Sequence, residues 1–136
     1  MARGVLSIAS VAAGNLAGAV LWIGCNAILA GLYPETLGGA ARIENLQLLL
    51  LMLFYSVSIS LAGGFFTAFL AGRREVQHAL AGGLVQLALA AAVQTANWAL
   101  LPLWYHAAFL LLLVPGTVAG GRLRVLQRQR EAEWAV

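Results

Sequence analysis

The chain has 136 residues, of which 62% are hydrophobic and only 10% are charged. Soluble domains carry about 25% charged residues, so this composition predicts an integral membrane protein. The length predicts one compact bundle, with no room for a second folded domain. The net charge of +3 comes from eight arginines and five glutamates, with no Lys and no Asp. The arginines are grouped in short clusters without a basic groove, which predicts that nucleic acid is not a partner.

The first apolar run predicts a membrane span over residues 5–32. A bilayer core needs about 20 apolar residues, whereas the apolar core of a signal peptide has about 7–15, so we expect this span to be retained. Gly14 and Gly18 lie four residues apart and predict a helix-packing stripe. Asn15 and Asn26 are separated by nearly three turns and therefore share a face.

The second span is predicted over residues 46–71, after a loop in which residues 36–43 are expected to form a short helix. Its first half, residues 46–54, is uniformly bulky, and we expect it to face lipid on all sides. Its second half carries a small residue at every fourth position, and such a ridge allows two helix backbones to approach closely in lipid. The predicted packing ridge consists of Ser56, Ser60, Gly64, Ala68 and Gly72.

No charged residue occurs between residues 76 and 121, and this stretch is long enough for two spans. Pro102 and the Trp, Tyr and His that follow are typical of a turn at the membrane interface. The sequence therefore predicts a third span over residues 79–101 and a fourth over 107–121. The tail, residues 122–136, is expected either to continue as an amphipathic surface helix or to be solvated and frayed.

The arginines predict the orientation of the chain. With four spans both termini lie on one side of the membrane, and the positive-inside rule makes that side the cytoplasm. The fold class is thus predicted as an all-α, integral membrane four-helix bundle with both termini inside. Only Arg42 falls on the outer side, while the inner side carries Arg3, Arg73, Arg74, Arg122, Arg124, Arg128 and Arg130.

Amide side chains are the principal candidates for a binding site within the membrane. Gln86 and Gln94 on the third span are eight residues apart, Asn97 follows three residues later, and Asn15 and Asn26 are expected to face them. One interpretation is that these amides bond between helices and fix the packing. The alternative is a polar seam that binds a lipid headgroup, a quinone or a small solute.

The charged turn offers a second candidate contact. Arg73, Arg74, Arg122 and Arg124 are interpreted as topology determinants, or as contacts for anionic lipid or for a carboxylate of a partner. Glu75 is expected to pair with Arg73 or Arg74, or with an arginine of the tail.

Two further observations limit the chemistry. His78 and His106 bracket the third span and lie about 40 Å apart, too far to share a metal ion. We expect His78 to bond near the charged turn and His106 to lie near the outer headgroups. No Asp, Glu, Lys or Arg lies within a predicted span, which argues against coupled transport and against catalysis in the membrane.

The segment GGFFTAFLAGRREVQHALAGG resembles the hallmark of small four-span bacterial membrane proteins of unknown function. In these, a Gly-Gly pair, then Ala-Gly-Arg-Arg, then His-Ala join the second and third spans, as residues 63–64, 71–74 and 78–79 do here. A Pro-Gly and a Gly-Gly pair in the last span, residues 115–116 and 120–121, fit the same pattern. The resemblance implies a four-span fold in the bacterial inner membrane and no particular activity.

Two functions follow as hypotheses. The first is a non-catalytic accessory subunit of a larger membrane complex, or a homo-oligomer, packed through the small-residue stripes. The alternative is a small transporter, a channel or a lipid- or quinone-binding protein that uses the amides. No cofactor is predicted, although a bound lipid or quinone fits the alternative, and the expected partners are membrane lipids, other subunits or a second copy. A membrane enzyme is the least favoured hypothesis.

Overall fold

The computed structural model describes residues 2–39 and 41–134, with side chains from residue 7 onward. Within these residues the chain is helical and contains no strand. The helices are α1 (Ala2–Leu32), the short α2 (Pro34–Leu37), α3 (Leu46–Ala71), α4 (Glu75–Ala96) and α5 (Leu103–Trp134). The four long helices are apolar and long enough to cross a membrane, which confirms the prediction of an all-helical, multi-pass membrane protein.

Helix α3 occupies the centre of the molecule. It packs against α1, α4 and α5, and α5 also packs along α4. Helix α1 rests mainly on α3 and only lightly on α4. The unequal packing of α1 leaves space between α1 and α4, and that space holds the candidate site.

The bulky half of α3 does not face lipid on all sides, and this prediction was wrong. Leu48, Leu49 and Met52 are buried there, where they pack with Tyr105 and Phe109 of α5 in the main apolar core. Because α3 has helices on several sides, most directions around it are occupied by protein. A uniformly apolar run carries no periodicity, so its sequence cannot distinguish a protein-facing side from a lipid-facing one.

The small-residue ridge of α3 faces α5. Gly64 lies against the backbone of Thr117, and a Cβ added at Gly64 would collide with the Thr117 carbonyl oxygen. Gly120 of α5 lies in the same way against the carbonyl oxygen of Leu61. Ser56, Ser60 and Ala68 of the ridge are also buried. The two backbones are therefore close enough that only glycine fits at these contacts.

The predicted ridge is corrected at its last member. Gly72 is exposed and ends α3 in a left-handed conformation, with φ of 63°. Its amide donates to the carbonyl of Ala68, as is common where glycine terminates a helix. The chain has left the helix at this point, so Gly72 makes a turn instead of a packing contact.

The stripe on α1 faces α3. Gly14 is buried against Thr67, whose hydroxyl occupies the position that a Cβ at residue 14 would need. Gly18 is also buried, but an added Cβ there would lie 3.8 Å from Ile59, an ordinary contact. The stripe therefore demands glycine at one position and tolerates a methyl group at the next.

Several predicted boundaries differ from the structure. The third span ends as a helix at Ala96 instead of residue 101, and the short loop helix is Pro34–Leu37 instead of residues 36–43. Proline suits the first turn of a helix, which is why α2 begins at Pro34. Residue 40 of the predicted loop helix and residues 135 and 136 of the tail lie outside the described residues.

The tail continues α5 without a break to Trp134, so the frayed alternative is not observed over the described residues. Two contacts hold this part of the helix to the rest of the protein. The guanidinium of Arg128 pairs with Glu75 at 3.0 Å, and that of Arg124 lies over the ring of Phe69 at 4.8 Å from its centroid. The tail therefore packs beside the turn between α3 and α4.

Candidate functional site

A cleft of about 630 Å³ lies between α1 and α4, beside the turn that joins α3 to α4. It forms because α1 packs on α3 and makes only light contact with α4. Its apolar walls include Ile8, Val11 and Val85. Polar side chains gather at its mouth and along one side: Ser7, Asn15, Arg73, Arg74, Gln77 and His78.

A second cavity of about 200 Å³, here called the inner cavity, lies farther along α1 and α4 and is open on its outer side, where Ala19 and Ile23 are exposed. It is lined chiefly by apolar side chains, which include Trp22, Leu89 and Phe109. Asn15 lines both cavities, so the cleft and the inner cavity adjoin at this residue. The side-chain amide of Asn15 donates to the carbonyl of Gly82 at 3.3 Å and links α1 to α4 there.

The mouth of the cleft is built on a strained turn. Arg74 has a φ of 45°, the left-handed region that a side chain other than glycine or asparagine rarely occupies. Such strain costs about 1–3 kcal/mol and is often found at functional sites. The ring of His78 is held to this turn, because its Nδ1–H donates to the carbonyl of Arg74 at 3.0 Å. That bond leaves Nε2 as the ring nitrogen to meet a ligand.

Glu75 does not share the cleft with the arginines. Its side chain is buried, with 4% of the residue exposed, and it pairs with Arg128 of α5. Of the three pairings expected from the sequence, the structure therefore shows the one with the tail. Among the described residues that line the cleft none is acidic, so the mouth has a positive electrostatic character.

The predicted amide stripe divides into separate local contacts. Gln86 joins three helices, because its amide nitrogen donates to Ser60 at 3.1 Å and its oxygen accepts from Thr117 at 3.0 Å. Asn26 and Asn97 instead donate to carbonyls of their own helices, those of Trp22 and Val93. The prediction of one continuous seam is corrected here, since each of these amides makes its own separate hydrogen bonds.

Gln94 belongs to a cluster at the other end of the molecule. Its carbonyl oxygen accepts from Nδ1 of His106 at 2.7 Å, and the imidazole stacks on Trp98 with ring centroids 4.4 Å apart. His106 is 2% exposed, so it bonds within the protein at the turn between α4 and α5 and does not face the surroundings. The cause is tertiary, because the turn between α4 and α5 folds Trp98 over the imidazole.

The remaining arginine candidates lie away from the cleft. Arg122 is exposed on α5, whereas Arg124 stacks on Phe69 and lies 3.6 Å from Glu131. Arg124 is thus engaged within the protein. No cluster of three metal-ligating side chains occurs among the described residues.

The cleft as a unit is not evident from the sequence. Arg73, Arg74 and Asn15 are candidates there for separate reasons, and Gln77 and Ser7 are not among the predicted site residues. A signal was present, since residues 7, 11 and 15 share one face of α1 and residues 78, 81 and 85 share one face of α4. Only the packing shows that these two faces lie opposite each other.

Comparison with known proteins gave no relatives: no family model, curated protein or solved structure matches this chain. The resemblance to small four-span bacterial membrane proteins therefore stays a prediction.

Proposed function

We propose that this protein is a non-catalytic membrane protein that binds one amphiphilic molecule in the cleft between α1 and α4. The observation that carries the proposal is the arrangement around Asn15, which lines both the charged cleft and the apolar inner cavity. A polar mouth next to an apolar cavity matches a molecule with a polar head and an apolar tail.

The deeper polar groups support an amphiphile over a small polar solute. Both ends of the Gln86 amide are already bonded to Ser60 and Thr117, and the indole N–H of Trp22 donates to Ser56 at 3.2 Å. A solute in the inner cavity would compete with these bonds, whereas an apolar tail leaves them intact. The light contact between α1 and α4 also gives such a tail a lateral entry from the bilayer.

The orientation proposed for the protein places both termini in the cytoplasm of a bacterial cell, in its inner membrane. Its support is the distribution of arginines over the four long helices, which puts Arg73 and Arg74 on the arginine-rich side and Arg42 on the other. The mouth of the cleft then opens toward the cytoplasmic headgroups.

Assembly with a second copy or with another subunit is the second candidate function. The stripes of α3 and the Gly14 contact are used inside the molecule, but α1 also carries glycines on its outer side. A Cβ at Gly24 or at Gly31 would have no described atom within 4 Å. A shallow groove of about 400 Å³ beside Ala17 and Gly63 offers an adjacent surface for a helix of a partner.

The test of amphiphile binding fills the inner cavity. Ala19 lines that cavity, and Ala27 is exposed on the same helix and lines none of the cavities described above. Native mass spectrometry of the protein in mild detergent should show a retained lipid in the wild type. We expect Ala19→Phe to reduce retention about tenfold, which is about 1.4 kcal/mol, and Ala27→Phe to leave it unchanged.

Equal lipid retention by Ala19→Phe and Ala27→Phe would contradict the proposal. The same spectra report the mass of the assembly, so they also show whether the second candidate function applies. A stable dimer or a larger complex supports assembly, and a monomer speaks against it.

A further inference from the structure

We infer that the occupant of the cleft is a lipid whose headgroup ends in a phosphate monoester. The inference rests on the proposed function, because it assigns chemistry to the polar end of the same site. Its basis is the set of donors at the mouth, the absence of acidic lining residues among those described, and the length of apolar lining beyond them.

The charge at the mouth favours an anion with several acceptor oxygens. Two guanidinium groups, those of Arg73 and Arg74, line the cleft together with the imidazole of His78 and the amide of Gln77. The carboxylate nearest in sequence, Glu75, is neutralised by Arg128 on the α5 side. A phosphate monoester carries about −1.5 to −2 charges and three strong acceptor oxygens, which matches this set of donors.

The turn presents these donors in a fixed arrangement. The left-handed conformation of Arg74 reverses the chain between α3 and α4 within three residues, so both arginines project from one tight turn. The bond from His78 to the Arg74 carbonyl fixes the ring so that Nε2 is the nitrogen left for a ligand. Neutral imidazole then accepts from a protonated phosphate oxygen, and imidazolium donates to an ionised one.

The length of apolar lining beyond the mouth favours a lipid over a free phosphate ion. Asn15 bonds to the carbonyl of Gly82, eight residues beyond Arg74 and therefore about 12 Å deeper along α4. The inner cavity continues to Val93, about 28 Å from Arg74, which is close to the roughly 30 Å thickness of the hydrocarbon core. A free phosphate would fill only the mouth and leave this path empty.

Other headgroups fit the mouth less well. Phosphatidylcholine carries its own quaternary ammonium, which would lie against the two arginines and repel them. A neutral quinone would bring no charge to the guanidiniums. An anionic phosphodiester carries one charge and two free oxygens, whereas a monoester offers about −1.5 to −2 charges and three oxygens to this set of donors.

The experiment compares lipids that differ in their headgroup. The full-length protein in mild detergent is mixed with equal amounts of dioleoyl phosphatidic acid, a phosphate monoester, and dioleoyl phosphatidylglycerol, an anionic phosphodiester, and bound lipids are counted by native mass spectrometry. We expect about tenfold more phosphatidic acid than phosphatidylglycerol on the wild type. Inorganic phosphate at the same concentration should not displace the bound lipid.

Variants separate the headgroup from the tail. Arg73→Gln with Arg74→Asn removes both charges, and asparagine tolerates the left-handed backbone at residue 74, so folding is retained. The matched control, Arg122→Gln with Arg130→Gln, removes two exposed arginines of α5 that do not line the cleft. The first pair should abolish the preference for phosphatidic acid, and the control pair should keep it.

The outcomes distinguish the phosphate inference from the proposal that the protein binds a lipid. If the wild type binds both lipids equally, or if the Arg73 and Arg74 variant keeps the preference, the phosphate inference fails while lipid binding stands. If inorganic phosphate displaces the lipid and Ala19→Phe has no effect, the occupant is the free ion and both proposals fail. Loss of both lipids in Ala19→Phe, with loss of preference alone in the arginine variant, supports both.

Discussion

At the scale of single residues, glycines that look equivalent in the sequence have different surroundings. A methyl group added at Gly64 would collide with the backbone of Thr117, which cannot move without separating α3 from α5. A methyl group added at Gly18 would only touch the side chain of Ile59. The difference depends on what lies across the interface, so neighbouring residues in the sequence do not reveal it.

We therefore predict opposite effects for two identical substitutions. Gly64→Ala should lower the free energy of unfolding by about 1–3 kcal/mol, because overpacking forces the two backbones apart. Gly18→Ala should be neutral or stabilising by up to about 1 kcal/mol, since alanine favours the helix and fits the space. The measurement is unfolding by SDS in mixed micelles, followed by circular dichroism.

Larger side chains extend the same comparison. Gly64→Ile and Ala68→Ile should disrupt packing more severely, while Leu50→Ile, at a position that is 49% exposed, should be tolerated. If Gly64→Ile unfolds at the same SDS fraction as Leu50→Ile, the close approach of α3 and α5 does not hold the protein together.

At the scale of helices, the two glutamines of α4 fix different neighbours. Gln86 ties α4 to α3 and α5, but the hydroxyls of Ser60 and Thr117 also donate to carbonyls of their own helices. These hydroxyls therefore keep a partner if Gln86 is removed. Gln94 is the acceptor for Nδ1 of the buried His106, and no such substitute is available to that nitrogen among the described contacts.

The two leucine substitutions should consequently differ in cost. Gln86→Leu should lower the free energy of unfolding by about 0.6 kcal/mol, the average for an interhelical hydrogen bond in a membrane. Gln94→Leu leaves the buried imidazole of His106 only the longer contact of Nε2 with the Trp98 carbonyl, 3.3 Å, and should cost about 1–3 kcal/mol. SDS unfolding of both variants measures the difference, with Thr95→Val at an exposed site as the control on the same helix. A larger loss for Gln86→Leu would show that the contact with His106 is not the stronger one.

At the scale of the whole molecule, α5 is longer than the membrane requires. Its 32 residues span about 48 Å, whereas the hydrocarbon core is about 30 Å thick. The excess lies at the arginine-rich end, where Arg128 also approaches the carbonyl of Gly72 at 3.4 Å. The end of α5 therefore braces the turn that carries Arg73 and Arg74.

The distribution of arginines predicts the orientation of the protein in the membrane. A reporter fused at Gly39 and one fused after the last residue should report opposite sides of the membrane, with the C-terminus in the cytoplasm. The reason is the seven-to-one distribution of arginines, because the helix count places all seven on one side. Paired alkaline phosphatase and fluorescent protein fusions make the measurement, and a periplasmic C-terminus would contradict either the helix count or the arginine argument.

The sequence by itself determined the class of this protein and its four apolar helices, because hydrocarbon demands long uncharged runs whose backbone bonds are satisfied internally. It also located the charged turn and the small residues of α3. Only the tertiary structure decided which sides of those helices meet, since apolar side chains suit lipid and protein equally well. That packing buried Leu49 and His106, paired Glu75 with Arg128, and left a cleft between α1 and α4 beside the bond from Asn15 to Gly82.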